Sequence, residues 1–217
     1  MAEIPHILSP MTAPWCSWVM LALLLCAVLS EWFQPGVITR VFDSLKVRQD
    51  RLYKEAPTNI QAQLLISIFR IGTPAMAVCL CCCPANRFSF TAFAVSCGMV
   101  FGAILVKMLC NVLLDYTFQI TRSYGDMYEH YANLFTLAVV AMYPVVLLCM
   151  HLSSTTAIRW MLGAVAALFI GLWLYRSASQ YIRTPLALIY ILAYTATLEV
   201  LPMAGIVLLS AKTISIL

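Results

Sequence analysis

The chain has 217 residues, of which 63% are hydrophobic and only 10% charged. A soluble domain is nearer half apolar and a quarter charged, and a water-soluble fold of this length cannot hide so much apolar surface. Lipid must cover the excess, while the net charge of +4 comes mainly from basic residues clustered beside one apolar run, which suits anionic headgroups and carries no base-stacking pattern for nucleic acid.

The first apolar run predicts a span over residues 15–33, with Trp15, Trp18 and Trp32 near its ends, where indoles favour the headgroup layer. Residues 1–14 carry no Lys or Arg and no small-residue cleavage site, so this run reads as a true span and not as a secretory signal. Leu24 and Leu25 before Cys26 fit a lipoprotein box poorly. Pro35-Gly36 then breaks the helix.

Residues 37–55 predict an amphipathic helix. Ile38, Val41, Phe42, Leu45 and Leu52 fall near one face, and Arg40, Lys46, Arg48, Arg51 and Lys54 supply charge. Such a helix lies in the interface of a bilayer with anionic headgroups, or packs as a linker helix on its own bundle.

Further spans are predicted over 62–83, closed by Pro84, and over 88–114. The connection between them is so short that the two must form an antiparallel hairpin. Residues 115–130 read as a polar connector holding Arg122, Asp126 and Glu129. Spans follow over 131–150, with Pro144 inside, over 157–175, and over 185–209, with Pro202 inside. The loop 176–184 carries Arg176 and Arg183. No convincing repeat relates the two halves. The expected fold is all-α: a single polytopic membrane bundle of about six transmembrane helices plus one interfacial helix.

Orientation follows from Lys and Arg in the loops. The odd loops hold eight (Arg40, Lys46, Arg48, Arg51, Lys54, Arg122, Arg176, Arg183), against three on the other side (Arg87, Arg159, Lys212). The odd loops are therefore expected in the cytoplasm and both termini in the periplasm.

Residues 189–194, Ile-Tyr-Ile-Leu-Ala-Tyr, lead into Leu198-Glu199-Val200-Leu201-Pro202, and Tyr131-Ala132-Asn133-Leu134-Phe135 opens the fourth span. These stretches resemble a family of uncharacterised polytopic inner-membrane proteins of Bacteroidota, catalogued as a domain of unknown function. The resemblance covers residues 31–212, and the Leu-Glu-x-Leu-Pro element is its most specific part. The cysteine run 79–83 lies outside it. The resemblance implies a bacterial inner membrane and brings no activity, substrate or cofactor.

Glu199 is the residue of greatest interest. By helix rise it lies about 20 Å into the last span, near mid-membrane depth. A carboxylate there costs a few kcal/mol and must be protonated, paired or turned to water. Pro202 removes its own N–H and crowds the carbonyl of Leu198, which kinks the span beside the acid. Glu199 is a proton or ion site, or a structural carboxyl bonded to a neighbouring helix. Candidate partners are Arg70, Asn111, Tyr194, Thr195 and Thr197. Arg70 and Lys107 lie about 10 to 12 Å below the cytoplasmic face by helix rise. Lys107 is expected to snorkel to that face. Arg70 either snorkels or reaches toward Glu199.

Cys79, Cys81, Cys82 and Cys83 crowd the end of the second span, with Cys79, Cys82 and Cys83 near one face. His6, His130 and His151 occur singly, so no metal site is expected. Cys79-Leu80-Cys81-Cys82 has thioredoxin-like spacing without that scaffold, and cysteine also packs as a small hydrophobe. Gly98 and Gly102 form a small-xxx-small pattern, expected to serve packing within the chain. Asp115, Asp126, Glu129 and His130 read as solvated loop charges. No phosphate-cradling or hydrolase motif occurs.

Three readings of function follow. The first is a non-enzymatic membrane protein with an assembly or scaffold role among cell-envelope proteins. The second is a small transporter or proton-coupled channel using Glu199. The third is a membrane thiol oxidoreductase using residues 79–83. None implies a cofactor.

Overall fold

A computed structural model describes residues 14–36, 59–83, 88–118, 121–152, 154–181 and 205. Regular structure among the described residues is entirely helical. Five helices follow in order: α1 (Pro14–Phe33), α2 (Ile60–Cys82), α3 (Phe90–Phe118), α4 (Thr121–His151) and α5 (Thr155–Tyr181). Four of them hold a stretch long and apolar enough to cross a membrane: Pro14–Phe33, Ile60–Cys82, Phe90–Cys110 and Ala132–His151. The apolar stretch of α5, Thr156–Leu172, is shorter. The expected interfacial helix 37–55, with Arg40, Lys46, Arg48, Arg51 and Lys54, lies outside the described residues. So does the expected span 185–209, with Glu199 and Pro202, apart from Gly205.

Local chemistry sets the helix ends. α1 stops at Phe33, and Gly36 adopts φ 92°, a left-handed value that a side chain would resist. The Gly36 N–H donates to Glu31 Oε1 at 2.6 Å, closing that turn. Asn59 caps α2 with its side-chain oxygen, which accepts from the Gln61 N–H at 3.0 Å. The Asn59 N–H also donates to Gln34 Oε1 at 3.3 Å, and its Nδ2 to the Phe33 carbonyl at 3.5 Å. The cap therefore fastens the start of α2 to the end of α1. Ser89 and Ser154 accept from Ala92 N–H and Ala157 N–H, and so open α3 and α5.

Two expected connections carry helix. Residues 115–130 join the apolar stretches that end at Cys110 and restart at Ala132, as expected of a polar connector, but 115–118 belong to α3 and 121–130 to α4. The stretch has no proline and a single glycine, so its composition does little to oppose a helical ladder. The α4 backbone thus extends about 16 Å beyond its apolar stretch, which starts at Ala132. Likewise α5 continues through Arg176 to Tyr181, where a loop from 176 was expected.

α2 is the hub. It packs against α1, α3, α4 and α5, and α5 also packs on α4. Gly72 lets α1 approach, since a Cβ there would overlap Leu23 Cδ2. Met76, Val139, Val146 and Met150 fill the centre and are shut off from solvent. At one end Trp15 stacks on Phe88 at 5.2 Å and meets Phe90 edge-on at 5.8 Å. Trp15 is therefore an internal anchor, while Trp18 and Trp32 stand 70% and 81% exposed, as indoles at a lipid interface do.

Candidate functional site

The polar centre of the bundle is built on the middle of α2. This helix starts at Ile60, two residues earlier than the sequence suggests, so Arg70 lies about 15 Å along it and close to its midpoint. Arg70 is half-buried and its Nε is sealed from solvent. Pro74, four residues on, lacks the N–H that would close the helical bond to the Arg70 carbonyl. Thr73 lies on the same side as Arg70, one turn along, is fully buried, and its hydroxyl has no hydrogen-bond partner among the described residues. A guanidinium, a lone hydroxyl and a released carbonyl thus share about one turn of the hub helix.

Pro74 and Thr73 were legible in the sequence but carried no weight there. A proline inside an apolar run, four residues after an arginine, is the signal that finds them. The third signal is Gly72, which marks the close approach of α1 to α2.

The other buried hydroxyls are spent locally. Ser30 donates to the Ala27 carbonyl at 2.7 Å, Ser96 to Ala92 at 2.9 Å and Thr136 to Ala132 at 2.7 Å. Each bond stays within its own helix, so none of these groups lines a path between helices. Two polar contacts do cross the bundle. The Tyr143 hydroxyl donates to the Met20 carbonyl at 2.9 Å, joining α4 to α1. Arg159 Nε donates to the Cys81 carbonyl at 3.2 Å, joining α5 to α2.

Lys107 is half-buried in α3, three residues before its apolar stretch ends at Cys110, within reach of the layer's edge. Asn111 follows directly after that stretch. Pro144 lies inside α4, as expected, and its ring is exposed. Glu199 and Pro202 are outside the described residues, as are Tyr194, Thr195 and Thr197. Asp115, Asp126, Glu129 and His130 lie on helical backbone at the polar ends of α3 and α4.

The cysteine run resolves into one close pair. Cys79 and Cys83 bring their Sγ atoms to 3.5 Å, one turn apart. Cys83 caps α2 in extended geometry (φ −82°, ψ 126°), and its N–H still donates to the Cys79 carbonyl at 2.9 Å. Gly98 is exposed and Gly102 half-buried on α3. Among the described residues a Cβ at either meets nothing within 4 Å, so the described helices do not pack against this pair. Among the described residues no three His, Cys, Asp or Glu side chains gather as a metal cluster.

No curated protein and no solved structure matches the chain. A family model described as "Domain of unknown function (DUF4271)" matches residues 16–209. That match spans most of the 217 residues, and the chain, with its four apolar, membrane-length helical stretches, belongs to this family.

Proposed function

We propose that the protein is a non-enzymatic, multi-pass component of a bacterial inner membrane, as in Bacteroidota, with an assembly or scaffold role among cell-envelope proteins. One observation carries this reading. Ser30, Ser96 and Thr136 turn their hydroxyls back onto their own helices, and outside the Arg70–Thr73 turn of α2 the described interior is apolar and close-packed. A transport path needs polar groups aimed between helices to replace the hydration of what passes. This interior spends them on local bonds instead. The sequence adds both termini in the periplasm and the basic stretch 37–55 on anionic headgroups at the cytoplasmic face. A reporter fused at Leu217 tests the orientation: activity only in the cytoplasm would reverse it.

The assembly reading is tested by reconstitution. The purified chain in proteoliposomes is expected to pass no protons or small ions, read by an internal pH dye and by conductance. Gentle solubilisation of native membranes is expected to yield one stoichiometric membrane-protein partner. Proton flux through the wild type that disappears in Glu199→Gln would overturn it.

That flux would support the second reading, a small proton-coupled transporter or channel. Its specific observation is the lone Thr73 hydroxyl beside Pro74 and Arg70. In this reading Glu199 supplies the opposite charge to Arg70 at the same depth, and the pair exchanges a proton. In the assembly reading the same two groups simply neutralise each other, and Glu199→Gln keeps the fold at little cost.

A further inference from the structure

We infer that Cys79 and Cys83 form a dithiol site that reacts with low-molecular-weight disulfides and closes to an intrahelical disulfide at the end of α2. This goes beyond the assembly reading and does not depend on it.

The pair is defined by geometry. Its sulfurs are 3.5 Å apart, and closing the bond draws them about 1.5 Å nearer, with the last turn of α2 giving way to bring the two Cβ atoms together. The closeness is that of an i, i+4 pair on the last turn of α2: the Cys83 N–H remains tied to the Cys79 carbonyl at 2.9 Å, and the chain leaves helical geometry only after it, at the Cys83 ψ of 126°. Side chains four residues apart share a face, and Cys79 and Cys83 meet that condition where the Cys79-to-Cys82 spacing gives a poorer alignment.

The two thiols are unequal, which gives the reaction an order. Cys83 stands at the cap with 6% of its surface exposed, while Cys79 lies one turn deeper at 0%. The Cys79 S–H, 3.5 Å away, can donate to a thiolate on Cys83 and so stabilises it there. Cys83 therefore loses its proton and attacks one sulfur of the small disulfide. That S–S bond breaks, a mixed disulfide forms on Cys83, and one small thiol leaves carrying the proton. Cys79 then attacks the Cys83 sulfur. The mixed disulfide breaks, and the second small thiol departs with the Cys79 proton. Two protein thiols are oxidised to one disulfide, and one small disulfide is reduced to two thiols. This end of α2 carries the loop assigned above to the periplasm, where disulfides persist.

The experiment uses the full-length protein in detergent micelles, reduced with a phosphine and then equilibrated with oxidised and reduced glutathione. Acid quenching, denaturation and alkylation precede mass spectrometry of the peptide containing residues 79–83. With rising oxidised glutathione the peptide is expected to lose two alkyl groups together, with the new bond joining Cys79 to Cys83. Cys79→Ser is expected to hold one glutathione on Cys83, and Cys83→Ser to take up none on Cys79. Full alkylation at every ratio would overturn the proposal, as would a bond between any other pair. Glutathione on Cys79 in Cys83→Ser would also overturn it. Should a variant fail to fold, the wild-type peptide alone decides which cysteines join.

Discussion

α2 and α3 are about equally apolar and neighbours in sequence, yet they occupy opposite environments. Half of the apolar stretch of α2 is buried in the bundle, against 17% of that of α3. α2 meets four helices, and its buried face runs through Gly72, Thr73, Ala75, Met76, Ala77 and Cys79. Among the described residues, the buried positions of α3 are Ala92, Phe93, Ser96 and Val100, all in its first half. Beyond that point Phe101, Leu105, Val106, Met108, Leu109 and Val112 are exposed. Hydropathy separates membrane from water and says nothing about bundle from lipid. Small side chains do, because helices in lipid gain nothing from burying leucine in protein instead of in acyl chains. They gain by close approach, which glycine, alanine and cysteine permit.

The largest expected break in this contrast comes from Met76→Ala set against Leu109→Ala. Met76 is fully buried in α2 and Leu109 is 64% exposed in α3. In a bilayer most of the transfer term cancels, and what remains is the lost packing around the cavity. Met76→Ala is then expected to cost about 2 kcal/mol, at the low end for truncating a buried side chain. Leu109→Ala is expected to stay within about 0.5 kcal/mol. Thermal unfolding of both in one detergent reads the difference. Equal losses would mean that α3 is as enclosed as α2.

How much of this was legible in the sequence depends on which force set each feature. The α1 stop was legible because Pro35-Gly36 leaves the chain no helical option, and the α2–α3 reversal because so few residues separate the two. Helix over 115–118 and 121–130 was not, because apolar runs mark spans and not helix ends, and a polar stretch with few breakers can still close its ladder. The hub role of α2 was hidden because its small residues count as ordinary apolar positions. At the candidate site Arg70 stood out as a charge in a span. Thr73 and Pro74 became informative only once the hydroxyl was seen buried without a partner. Cys79 and Cys83 were legible as an i, i+4 pair on one face, and the structure adds the 3.5 Å separation of their sulfurs.

A second pair of variants sharpens the same contrast with identical chemistry. Gly72→Leu places a side chain where Leu23 already stands. It is expected to cost about 1 to 3 kcal/mol, the range for overfilling a packed interface. Gly72→Ala should cost less, since the nearest atom is a Leu23 methyl that can turn aside. At Gly98 an added Cβ meets nothing within 4 Å among the described residues, so Gly98→Leu starts into open space. There the better helix propensity should give a gain of up to about 1 kcal/mol. Opposite signs in thermal unfolding support the assignment of Gly72 to the interface. A loss at Gly98 equal to that at Gly72 would place a close neighbour on the outer face of α3.

The smallest expected effect tests whether the bundle depends on α2 alone. Tyr143 of α4 donates to the Met20 carbonyl of α1 at 2.9 Å, a direct tie between two helices that both pack on the hub. Tyr143→Phe removes that donor and leaves little behind. The ring keeps its place against Phe69, 5.7 Å away. The Met20 carbonyl lies mid-helix, where the ladder of α1 still supplies an N–H, so no buried acceptor is orphaned. Interhelical hydrogen bonds in membranes average about 0.6 kcal/mol, because the separated helices find other partners. Tyr143→Phe is therefore expected to lower the unfolding midpoint by about 1 to 2 °C. A loss nearer the cost of Met76→Ala would show that the α1–α4 tie carries as much of the bundle as the packing of α2, and the hub description would have to be given up.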